Sequence, residues 1–298
     1  MSELNYVGFK NVLCHEMNSR GFRVEFREVD KITGSYEGLA IWLEGSPNMQ
    51  AVINLHTAYD EYVDYGLDDV IKKIVNSVKQ TAPPNIDINE FSTFKEIKDK
   101  VFYRLSGGRE QEFLDTIPHR DFYGLTISYH VYIDDTDSVG SALITNEMAR
   151  NYGVSEQVLF ETAKLNTTGL LKPIVRNMMD FLLGINTKAK EFSEQIEDIA
   201  DNSKRDIMFI LSNNKGVYGA TTLLYDGILN QISNAIGDFY ILPSSIHEVL
   251  IVPDNGDVKA EDLGIMVREV NNTEVKPEER LSYNVYHYDA RQGFEVCI

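Results

Sequence analysis

Residues 237–270, GDFYILPSSIHEVLIVPDNGDVKAEDLGIMVREV, constrain the fold more than any other stretch of this chain. Two apolar runs, DFYIL and VLIVP, flank a polar Pro-Ser-Ser-Ile-His-Glu break, and an amphipathic pattern follows at 258–271. Short apolar runs bounded by turn residues read as buried strands, whereas apolar residues at three- and four-residue steps read as a helix. The stretch therefore predicts two strands, a tight connection and a closing helix.

The same plan is legible twice more. In the middle of the chain VFYRL (101–105) precedes a short helix, the strand-rich run DFYGLTISYHVYI (121–133) and the helix pattern YGVSEQVLFETAKLN (152–166). In the last third IMFIL (207–211) and the helical LLYDGILNQISNAI lead into the opening stretch. Near the start, a helix over 2–18 and three strand-like runs at 22–26, 37–45 and 51–55 precede YGLDDVIKKIVNSVKQ. There Leu67, Val70, Ile71, Ile74, Val75 and Val78 recur at helical spacing, with Asp68 and Asp69 at the favourable end of the helix dipole. Asp-Phe-Tyr recurs at 121–123 and 238–240, Asn166 and Asn271 end two of the helices, and Tyr65-Gly66 and Tyr152-Gly153 open two of them.

The expectation is an α+β protein with mixed or antiparallel sheets and packed helices. It is divided into three related strand-rich units, 1–82, 83–168 and 169–298, forming one compact body. The proline-led segment 81–100 is expected as a linker. Within the connector 169–206, GLLKPIVRNMMDFLLGI is expected to be buried with Met178 and Met179 filling core, and KAKEFSEQIEDIADNSK to be an exposed helix or connector. Asn213-Asn214-Lys215-Gly216 reads as a hairpin turn, and LSYNVYHYD (281–289) as a final strand.

Bulk properties exclude several function classes. Forty-three per cent hydrophobic and 25% charged residues describe a globular chain. Its net charge of -18 is spread along the sequence rather than gathered in a tail. Repulsion from phosphate argues against direct nucleic-acid binding, which rests on lysine and arginine contacts. No apolar run is long enough to cross a membrane, and the first residues do not form a secretory signal. Cys14 and Cys297 cannot build a disulfide framework or a four-thiolate zinc site, so a cytoplasmic location is expected.

The densest chemistry lies at Pro243, Ser244, Ser245, His247 and Glu248. Nucleophilic catalysis needs a hydroxyl beside a base that a carboxylate orients, and all three residue types are present. Neighbours along a strand point to opposite faces, however, and there is no Gly-x-Ser-x-Gly elbow. A strand connection braced by Pro243 and by serine-to-backbone hydrogen bonds is the preferred reading, with ligand contact as its functional form. His15, His56, His119, His130, His247 and His287 are scattered, and the acidic turns at 134–137 and 254–257 lack the EF-hand spacing, so no metal is expected. No phosphate-cradling motif is complete, and no cofactor is expected.

The run from Tyr218-Gly219-Ala220 through DFYILPSSIHEVLIVP, AEDLGIMVREVN and VYHYD resembles an uncharacterised Firmicutes family, domain of unknown function 5688. So do Ile117-Pro118-His119 before DFYGLTISY, ITNEMARNYGVSEQVLFETAKLNT, and LHTAYDEYVDYGLDDVIKKI. The resemblance implies no activity, substrate or catalytic residue. The reading that follows is a non-enzymatic binding or interaction protein with a protein partner or small ligand, compatible with self-association. The alternatives are an acidic decoy acting against a nucleic-acid-binding enzyme, as in counter-defence, and a hydrolase using the Ser-Ser-Ile-His-Glu turn.

Overall fold

The computed structural model describes residues 4–31, 34–43, 46–80, 91–134, 139–184, 190–202, 208–243 and 245–298. The chain separates into two compact units, Met1–Ile86 and Asp87–Ile298. It is an α+β protein whose three sheets are antiparallel throughout their described pairings.

In the first unit, α1 (Tyr6–Ser19) starts where the Asn5 side chain accepts from Gly8 N, and it buries Phe9, Leu13 and Met17 at four-residue steps. A meander follows, β1 (Val24–Lys31), β2 (Gly34–Leu43) and β3 (Ser46–Asn54), with Phe26 opposite Leu39 and Leu39 opposite Ile53. Next come α2 (Leu55–Tyr65) and α3 (Leu67–Gln80). The Asn54 side chain, accepting from His56 N and Thr57 N, turns strand β3 directly into α2. The sequence pattern had not shown that helix. Leu39, Ile41, Leu55, Val70, Ile71, Ile74 and Val78 join the buried face of α1 in one core.

The second unit carries two sheets. After α4 (Phe94–Ile97), strand β4 (Val101–Ser106), the short α5 (Gln111–Leu114), β5 (His119–Phe122), β6 (Leu125–Asp134) and β7 (Val139–Leu143) form a four-stranded sheet. Within it β6 pairs with β4, β5 and β7. Then come α6 (Asn146–Tyr152), α7 (Glu156–Leu170), β8 (Pro173–Asn177), α8 (Met178–Leu182), α9 (Phe192–Asn202) and β9 (Phe209–Asn213). The chain continues through α10 (Ile228–Ile236), β10 (Phe239–Leu242), β11 (Val249–Pro253), α11 (Ala260–Thr273), β12 (Tyr286–Asp289) and β13 (Gly293–Val296). The six-stranded sheet runs β13-β12-β10-β11-β9-β8. Tyr103, Ile127, Tyr129 and Leu159 share one core with Val175, Phe209, Ile232, Ile241 and Ile251, so both sheets of this unit enclose the same apolar interior.

Unpaired backbone donors on sheet edges must be satisfied or covered. Strand β4 meets this with buried threonines: Tyr103 N donates to Thr167 Oγ1 and Leu105 N to Thr221 Oγ1. Strand β8 uses Gln195, whose buried amide oxygen accepts from Val175 N. Helix α9, expected as an exposed helix or connector, is therefore docked on the sheet through Gln195 and Ile199.

Several local expectations differ from the structure for physical reasons. DFYGLTISYHVYI is not one run but a hairpin, turned at Tyr123 (φ 53°) and Gly124 (φ 82°). Phe122-Tyr123 thus ends one hairpin strand, whereas Phe239-Tyr240 opens β10, so the shared Asp-Phe-Tyr occupies different places. Gly66 and Gly153, both at positive φ, close α2 and α6 instead of opening α3 and α7. Asn213 does not start a hairpin: its side chain accepts from Lys215 N and Gly216 N, and a 3-10 turn over Gly219–Leu224 follows. Met178 and Met179 do not fill core, because α8 leaves Met179 55% and Leu182 67% exposed. Asn166 and Asn271 do share a role, each donating its amide to backbone carbonyls of a neighbouring segment: Lys98 and Val101 for the first, Ser282 for the second. The three sheets differ in strand number and order, and a common plan is not visible in their topology. Among the described residues no helix is long and apolar enough to cross a membrane.

Candidate functional site

The Pro243–Glu248 turn joins β10 to β11, and most of its polar groups are engaged by the backbone. Pro243 O accepts from Ser282 N at 3.1 Å, and Ser245 bridges to Arg280. Ile246 donates to Glu279 O at 2.8 Å and accepts from Ala220 N at 3.2 Å. His247 O accepts from Ser212 Oγ at 2.7 Å. Ser245 Oγ accepts from His247 N at 3.0 Å, which is the serine-to-backbone bracing that such turns favour. Ser244 lies outside the described residues.

The close approach of the neighbouring chain depends on Gly219. A Cβ there would sit 2.1 Å from both His247 O and Ser212 Oγ. Tyr218, just before it, holds φ at 56°, a conformation that side chains other than glycine seldom adopt. Its backbone N donates to His247 Nδ1 at 3.3 Å, and the two rings lie near-parallel with centroids 6.1 Å apart. On the other side of His247, Nε2 is 3.8 Å from Glu279 Oε1. Burial pushes the His247 imidazole below its ordinary pKa despite Glu279, and Arg104 adds to the depression.

Arg104 completes the row. Its guanidinium lies 3.6 Å from the centre of the Tyr218 ring, and its Nη1 donates to Ser141 Oγ at 3.1 Å. Burial lowers the pKa of this guanidinium, with Tyr218 opposing. Beside it on the same sheet face is His130, 2% exposed, with Ser128 Oγ 3.1 Å from Nε2 and no hydrogen-bond partner for Nδ1. Burial, with Arg104 second, holds His130 far below the ordinary histidine range.

This geometry separates the expected site residues. Ser245 and His247 meet through a backbone donor, not through their side chains, because His247 Nδ1 is turned to Tyr218. Glu248 does not orient His247; the nearer carboxylate is that of Glu279, and the charge of Glu248 also acts on Arg176. At this turn, among the described residues, no serine hydroxyl is hydrogen-bonded to an imidazole. The Ser128–His130 pair does make that contact but, among the described residues, has no carboxylate to orient the ring. Among the described residues no three histidine, cysteine or acidic side chains gather to hold a metal ion.

Sequence reasoning missed Arg104, Tyr218 and Glu279. Its only local cue was a lone arginine in the otherwise apolar VFYRL strand. It also missed a pocket of about 510 Å³ in the first unit, lined by Phe26, Glu28, Tyr36, Glu37 and His56 among others. Here the Tyr6 ring stacks on His56 with centroids 4.5 Å apart, and Lys10 and the Tyr6 hydroxyl both bond Glu37. Those two bonds, Lys10 first, hold the Glu37 carboxyl below its ordinary range.

Comparison with curated proteins and with solved structures returned no match. A family model described as a family of unknown function (DUF5688) matches residues 7–290, and the chain belongs to that family, as its residues had suggested.

Proposed function

We propose that this chain is a non-enzymatic binding protein that meets its ligand or partner at the Pro243–Glu248 turn. The observation that carries this reading is the fixed presentation of the turn. Its backbone is tied to Ser212, Ala220, Glu279, Arg280 and Ser282, while the half-buried His247–Glu279 pair stands at its side. A surface ordered before binding loses little freedom on association. Catalysis is disfavoured because, among the described residues, no base accepts the Ser245 hydroxyl proton and His247 Nδ1 is taken by Tyr218 N.

A Ser245→Ala/His247→Ala double variant tests the reading. Species retained by the wild-type chain on affinity capture should be lost from the double variant, with its circular dichroism unchanged. A folded double variant that retains every such species removes the turn as the contact site.

A further inference from the structure

The four-stranded sheet holds two arginines that lie against aromatic rings, and their surroundings differ. Arg120, on β5, sits 3.8 Å from the centre of the Phe160 ring, and its Nε and Nη2 reach the two carboxylate oxygens of Glu156 at 2.6 and 3.0 Å. Arg104, on β4, sits about as close to Tyr218, but among the described residues its side-chain hydrogen bond runs to the neutral hydroxyl of Ser141. No carboxylate among the described residues lies within ion-pairing distance of it. Buried or part-buried guanidinium groups are ordinarily matched by an anion, because removing a cation from water is expensive. This chain has 46 acidic residues with which to supply one.

The register shows which polar groups share a face with Arg104. Arg104 pairs with Ser128 and Phe102 with His130, so Arg104 and His130 are diagonal neighbours on one face. Ser141 lies one strand further on, opposite Tyr132. To reach it from β4, the Arg104 side chain must cross β6 near His130, with the Tyr218 ring against its planar face. Arg104 keeps partial access to solvent. Beneath it, when Ser128 donates to His130 Nε2, the neutral ring carries its proton on Nδ1, the atom with no partner. A guanidinium with no carboxylate in ion-pairing distance among the described residues and an imidazole nitrogen without a partner thus share one face of the sheet, beside a tyrosine held at positive φ.

We propose that Arg104, His130 and Ser141, beneath Tyr218, form an oxyanion subsite that takes a carboxylate or phosphate group of the ligand, with Ser128 fixing the His130 tautomer. This rests on the binding reading above and names the chemical class of what is bound. Arg104 supplies the charge and its planar fork of donors, the geometry suited to a two-point contact with either group. His130 supplies a neutral donor, and Tyr218 links the subsite to His247 and the turn.

Titration with sodium phosphate and, separately, sodium acetate at constant ionic strength in chloride tests the subsite. The readouts are calorimetry and the imidazole ¹⁵N shifts of His130. The wild-type chain should bind at least one of the two anions saturably and shift His130, and Arg104→Gln should weaken that binding by about ten-fold or more. A response to phosphate alone assigns a phosphate ligand, and a response to acetate a carboxylate. No saturable response in the wild type, or a folded Arg104→Gln variant that binds as well, overturns the subsite. Should Arg104→Gln fail to fold, the His130 shifts of the wild type decide in the same way. A failed titration alongside loss of captured species in Ser245→Ala/His247→Ala would discard the anion and keep the turn.

Discussion

The two faces of the four-stranded sheet are both buried, one apolar and the other carrying most of the sheet's buried polar side chains. One presents Val101, Tyr103, Leu105, Ile127, Tyr129 and Val131 to α7 and the shared core. The other presents Arg104, Ser106, Thr126, Ser128 and His130 alongside the aromatic Phe102 and Tyr132, and its polar residues other than the part-buried Arg104 are at most 5% exposed. Strand alternation produces both rows from alternate residues of the same two strands, β4 and β6. The apolar row needs only to exclude water. The polar row must find a partner for each donor and acceptor, and it leaves His130 Nδ1 without one and Arg104 without a carboxylate among the described residues. The contrast teaches where this fold accepts a cost in stability, and such places are where function is sought.

Damage to the apolar face should have the largest effect. Leu159 on α7 is fully buried against it, and Leu159→Ala should cost about 2–5 kcal/mol, read as a lower urea midpoint at unchanged slope. A loss under about 1 kcal/mol would mean that this face is not close-packed.

The polar face should reveal itself through pH. The folded His130 pKa is depressed, so an unfolded chain takes up a proton near pH 6.5 while the folded one does not. The unfolded state then binds more protons, so stability is full above about pH 6.5 and falls as pH drops from there towards the folded pKa. The contribution of this one ring is at most about 1.4 kcal/mol per pH unit. His130→Gln should flatten the acid limb of unfolding free energy against pH, and an unchanged limb would place the ring in a wetter setting.

The smallest effect belongs to neither face. Leu182→Ser on the exposed α8 should change stability by no more than about 0.5 kcal/mol, since the side chain is mostly in solvent. A larger loss would return the segment after β8 to the core, where the apolar sequence had placed it.

How much of this was legible in the sequence followed the range of the forces involved. Helix α3 and strands β4, β10 and β11 could be read because periodicity and flanking turn residues are local. Helix α2 was missed because its start depends on the Asn54 cap and LHTAYDEYVDY carries little apolar repetition. The hairpin at Tyr123-Gly124 was hidden by a tyrosine in a position that usually calls for asparagine or glycine. At the candidate site, the turn and its serine-to-backbone bracing were local enough to read. The Arg104–Tyr218 stack was not, because its partners lie on different elements, far apart in sequence, and only tertiary packing unites them.

The most direct test of the account is the pH titration of the His130 imidazole by long-range ¹H–¹⁵N correlation in the folded wild-type chain. A dry sheet face shared with the Arg104 cation predicts a ring that stays neutral through the region near pH 6.5 where an ordinary histidine takes up its proton. A His130 midpoint at or above pH 6.5 would contradict it.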